Sequence, residues 1–141
     1  MNFGDRTVKA PRGFRAFGIF LLWAATMASL AGTTMTWRDT ALDRIWALNP
    51  RAYSQLAPFG AKAGILLFLV GIALAVSGAG WFKRRTWGWR LAVAIIATQV
   101  VGDLVNVVMG HWAEGAIGVT VAGVQLFYLF RTPVRAVFRR A

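Results

Sequence analysis

The chain has no cysteine, a single histidine and only five acidic residues among its 141. Without cysteine there is no disulfide, no thiolate nucleophile and no Cys-ligated metal or cluster. His111 alone cannot supply bis-histidine haem ligation within one chain. Five scattered carboxylates offer no pair at a plausible acid/base spacing. A nucleophile elbow, a Gly-rich phosphate loop and an HExxH helix are all missing. Ser54, His111 and Asp103 (or Asp43) are the residue types of a triad, and a triad is recognised by geometry rather than order, but no motif supports one here. The expectation is a protein that is not an enzyme, with no cofactor and no metal.

Charge is also missing from four long stretches. Hydrophobic residues make up 57% of the chain and its mean hydropathy is +0.55, too apolar for a soluble domain of this size. Residues 16–37 and 63–82 carry no charge, residues 91–110 are interrupted only by Asp103, and residues 115–130 are short and borrow Glu114 or Arg131 at their ends. About 20 apolar residues cross a hydrocarbon core of about 30 Å. These lengths predict four transmembrane helices in residues 16–130, the last two forming a tight hairpin. The expected fold is an all-α, integral-membrane four-helix bundle, with a basic arm at 1–15, an outer interfacial loop at 38–62 and a basic tail at 131–141.

Sixteen Lys and Arg give a net charge of +11 and fall into four clusters of four. Three flank the spans: Arg6, Lys9, Arg12 and Arg15; Lys83, Arg84, Arg85 and Arg90; Arg131, Arg135, Arg139 and Arg140. The fourth, Arg38, Arg44, Arg51 and Lys62, shares the longest loop with Asp39 and Asp43. Basic residues beside spans stay in the cytoplasm, so both termini and the middle loop are expected inside. Anionic lipid headgroups attract each such residue by about 1 kcal/mol, which makes membrane lipids, and not nucleic acid, the expected partner of the charge. A signal-peptide reading ending at Ser29-Leu30-Ala31 is set aside because the apolar run continues to Met35.

Leu42, Ile45, Trp46 and Asn49 share a face at helical spacing, predicting a short amphipathic helix from about Thr40 to Leu48. Asn49-Pro50 reads as the start of a second, ending before Pro58. In the tail, Val134, Val137 and Phe138 alternate with arginines as in a surface helix with its apolar side in the lipid interface, the alternative being a frayed and solvated tail. Six of the seven tryptophans fall at expected interfaces, where an indole anchors depth.

Small residues recur every three or four positions: Ala24, Ala28 and Gly32; Gly60, Gly64, Gly71, Ala75 and Gly78; Gly115, Gly118 and Ala122. Such stripes let helices approach closely where no hydrophobic effect drives them together, and they serve contacts within the chain or with other subunits equally well. The one polar constellation is Gln99, Asp103, Asn106 and Gly110, spaced four, three and four along one face of the third span. An aspartate at a span centre costs about 2.5–3.5 kcal/mol, so Asp103 is expected to face inward and find a partner, Arg38 or Arg44. Gln125 is placed to meet Gln99.

The order ALDRIWALNP, GWFKRRTWGW, GDLVN and LFYLFRTPVRAVF is similar to that of small, uncharacterised four-helix bacterial membrane proteins. That resemblance implies a bacterial inner membrane and brings no activity, ligand or site residue with it. Together these features point to an accessory, stabilising or interaction subunit of a membrane complex, or a homo-oligomer. The rival is a small homo-oligomeric channel or transporter that uses the Gln99/Asp103/Asn106 stripe.

Overall fold

The computed structural model describes residues 9–139, so the first eight residues of the basic arm and the last two of the tail, Arg140 included, lie outside the described residues. Every regular element among the described residues is helical. Four helices are long and apolar enough to cross a membrane: α1 (Phe14–Thr36), α3 (Ala61–Phe82), α4 (Thr86–Val108) and α5 (Trp112–Phe130). Between the first two lie a 3-10 helix (Ala41–Leu48), α2 (Pro50–Leu56) and a 3-10 turn (Ala57–Phe59), and the chain finishes in α6 (Thr132–Arg139). All four helices begin before the apolar stretches, most plainly α4, which starts at Thr86 and carries Arg90 inside its second turn. Charge limits how long an apolar stretch is; it does not limit the helix, because an arginine near a helix end reaches water with its long stem.

The chain divides into two compact units, Ile19–Gly78 and the remainder. In the Ile19–Gly78 unit, α1 and α3 meet backbone to backbone. A Cβ at Gly32 would lie 2.7 Å from the Gly64 carbonyl oxygen and 2.9 Å from the Phe68 nitrogen, and one at Gly71 would lie 3.1 Å from the Ala25 carbonyl oxygen. Gly78 faces Leu22 and Leu21. The buried stripe of α1 therefore runs through Leu21, Ala25, Gly32 and Met35, while Ala24 and Ala28 are half-buried beside it. Threonine hydroxyls along α1 donate to their own backbone: Thr26 to Leu22 O, Thr33 to Ser29 O and Thr36 to Gly32 O. Each span polar group satisfied this way needs no partner helix.

The connecting segment is built on local hydrogen bonds. Asp43 Oδ2 accepts from the Asp39 and Thr40 amides at 2.9 and 3.2 Å, and Asn49 Oδ1 accepts from the Ala52 amide at 3.1 Å, with Pro50 in the first turn of α2. Residues 41–48 wind as a 3-10 helix and not an α-helix. Trp46 docks this helix by donating from Nε1 to Thr34 Oγ1 at 2.9 Å.

In the other unit, α4 and α5 form an antiparallel hairpin. Gly110, at φ 94°, ends α4; its amide reaches Val107 O and the His111 amide reaches Asn106 O, at 3.1 and 2.9 Å. That pair of bonds is a Schellman cap, which favours a residue without a Cβ. At the far end of the hairpin, Phe14, Phe17, Trp81 and Phe138 pack ring against ring with centroids 4.7–5.8 Å apart. Trp81 is fully buried, and its Nε1 donates to Phe14 O at 2.8 Å. Phe138 brings α6 to this cluster, and Val134, Val137 and Phe138 are buried in protein and not laid into lipid. The physical reason is the aromatic density at this corner, which offers α6 a better-packed surface than acyl chains do.

Candidate functional site

Asp103 points from α4 at Gly118 on α5. A Cβ added at Gly118 would collide with the Asp103 carboxyl group, and one at Gly115 would lie 2.7 Å from Asp103 O and 2.8 Å from Val107 N. Gly115 and Gly118 thus bring the two backbones together, and Ala122, fully buried, continues the same stripe one turn on. Within the seam Asp103 Oδ2 is buried and has no hydrogen-bond partner among the described residues. Of the two arginines expected beside it, Arg38 donates from Nη2 to Ala57 O at 3.3 Å and Arg44 is exposed on the 3-10 helix.

The rest of the polar stripe divides. Asn106 is half-buried, as is Gln125 on α5, whereas Gln99 is exposed and makes no side-chain hydrogen bond among the described residues. Four residues of helix leave about 40° of rotation between Gln99 and Asp103, enough to put one in the seam and the other outside it. Thr98 and Thr120 close their hydroxyls onto Ala94 O and Ala116 O.

Two further glycines stand apart from the packing stripes. A Cβ at Gly102 or Gly123 would meet nothing within 4 Å among the described residues. Gly102 follows Gln99 by three residues and is exposed, and Gly123 follows the exposed Thr120 by three. The sequence held a signal for both, since each is a glycine one turn from a polar residue, but their separation from the intrachain stripes depends on how the helices are rotated.

The remaining candidates are engaged locally. Ser54 Oγ donates to Arg51 O at 2.8 Å, and His111 Nδ1 lies 3.8 Å from Glu114 Oε2 with both side chains about half exposed. Three tryptophans do more than mark depth: Trp46, Trp81 and Trp89 each donate an indole N–H to another element, Trp89 to Leu129 O at 3.0 Å.

Four helices of this length and composition define the class, a multi-pass helical membrane protein. No family model, curated protein or solved structure matches the chain.

Proposed function

We propose that the protein is a non-enzymatic subunit of a bacterial inner membrane, its four spans bundled, both termini and the loop at residues 83–85 cytoplasmic. It acts through lateral contacts, as an accessory or stabilising partner of other membrane-protein subunits or of itself, with anionic lipid headgroups around its basic flanks. The observation that carries this reading is the open face around Gln99 and Gly102. An amide in a span, with no side-chain hydrogen bond among the described residues, sits one turn from a glycine whose added Cβ would meet none of them within 4 Å. Interhelical amide hydrogen bonds and bare glycine surfaces are what associate helices in lipid. The charge asymmetry supports the orientation.

The test is the mass of the particle purified in mild detergent. Wild type is expected as an oligomer or with a co-purifying membrane protein, and Gly102→Leu as the single chain with unchanged helicity, since no neighbour in the chain is displaced. A wild-type particle containing one chain and nothing else contradicts the reading.

One observation favours a second reading, a small homo-oligomeric channel or transporter. Asp103 Oδ2 has no hydrogen-bond partner among the described residues, and an ionisable residue in a span is equipment for moving protons or cations. Ion or proton flux in reconstituted wild-type vesicles that disappears in Asp103→Leu/Asn106→Leu selects that reading; flux no greater than in empty liposomes leaves the subunit role.

A further inference from the structure

Where α4 begins and α6 ends, a half-enclosed cavity of about 220 Å³ is lined by Thr86, Trp89, Arg90, Arg135, Phe138 and Arg139. Half of that lining is arginine. The acids among the described residues are Asp39, Asp43, Asp103 and Glu114, and none of them lines it. Three guanidinium groups repel one another when gathered without a counter-charge, so something else must hold them together. That is the docking of α6. Arg135 and Arg139 are four residues apart and share a face of the helix, while Val134, Val137 and Phe138 are buried on the other. Thr86 Oγ1 donates to Phe138 O at 2.8 Å, and Trp89 Nε1 to Leu129 O at 3.0 Å. The Arg135 guanidinium lies 5.9 Å from the centre of the Trp89 ring. Apolar packing and two hydrogen bonds thus fix a cationic wall before any anion arrives, and a preorganised site binds without an ordering cost.

We propose that this cavity is a phosphate-binding site occupied by the headgroup phosphate of an acidic phospholipid. Guanidinium forks match phosphate oxygens two by two. The volume lies below the ~300–1,000 Å³ of sites for drug-sized ligands and suits a headgroup whose chains stay outside. Trp89 and Phe138 give the cavity apolar walls, and α4 leads from it directly into a membrane span. The proposal rests on the membrane-spanning architecture and on the lipid contacts suggested above, but not on the subunit role; its failure with the detergent particle intact leaves that role standing.

The test uses the whole protein in nanodiscs of phosphatidylcholine mixed with phosphatidylglycerol, with retained lipid identified by native mass spectrometry. Wild type is expected to retain phosphatidylglycerol preferentially. Arg90→Gln/Arg135→Gln is expected to lower that preference on the order of tenfold, while the charge-matched Arg44→Gln/Lys62→Gln keeps it. Arg90→Lys/Arg135→Lys retains charge without the fork and should fall between wild type and the glutamine variant; it carries the test if the glutamine variant does not fold. Equal loss in the two glutamine variants overturns the site in favour of diffuse charge attraction. Binding of inorganic phosphate in pure phosphatidylcholine discs, with no preference for phosphatidylglycerol, overturns the lipid as its occupant.

Discussion

The carboxyl group of Asp103 fits between α4 and α5 because position 118 has no side chain to oppose it, and the two backbones come close because position 115 has none either. These two glycines do different things, and substitutions separate them. Gly118→Ala should destabilise by about 1–3 kcal/mol, as overpacking of a close contact does, and most of that cost should vanish in an Asp103→Ala background, because the displaced atoms belong to the aspartate side chain. Gly115→Ala should cost as much in either background, since it meets the backbone of Asp103 and Val107. Unfolding midpoints in detergent titrations of the four variants and their parents measure both; an equal cost for Gly118→Ala in the two backgrounds contradicts the placement of Asp103. The spacing of Gln99, Asp103 and Asn106 was legible in the sequence. Which of them faces the seam was not, because α4 is apolar nearly all round and its rotation is set by what Ala92 and Ile96 pack against, information held in other helices.

Among the elements, α6 best shows the difference between recognising a helix and knowing where it goes. The alternation of arginine with Val134, Val137 and Phe138 announces an amphipathic helix to any reader of the chain. Its apolar side is buried against protein because Phe14, Phe17 and Trp81, distant in sequence, converge at one corner, and no local pattern in residues 131–141 encodes that. Phe138, 1% exposed, is the test: Phe138→Ala should cost about 3–5 kcal/mol, the range for truncating a buried phenylalanine, concentrated in α6. Trypsin should then cut at Arg135 and Arg139 well before the long helices open. Wild-type protection in the variant contradicts the docking. The loop helix at 41–48 makes a smaller point of the same kind: the Asp39, Thr40 and Asp43 bonds that start it are readable from residue types, but the choice of 3-10 over α winding is not.

For the whole molecule, four apolar stretches made the number of spans legible, and the grouping of basic residues made an orientation arguable, while the division of glycines between internal packing and open surface needed the structure. The orientation has a direct check in a chain free of native cysteine. Ser54→Cys should react with an impermeant thiol reagent added to intact cells, and Thr86→Cys should react only after the cells are broken; the reverse pattern inverts the topology. The role assigned to the open face around Gln99 and Gly102 meets its sharpest test in native membranes, with a photo-reactive phenylalanine placed in turn at 102 and at 72. A Cβ at 102 meets nothing within 4 Å among the described residues, and Ile72 is a 48%-exposed apolar residue of α3. Discrete protein adducts are expected from 102 and none from 72. No protein adduct at 102, or adducts of equal yield at both, would contradict a partner bound at that face.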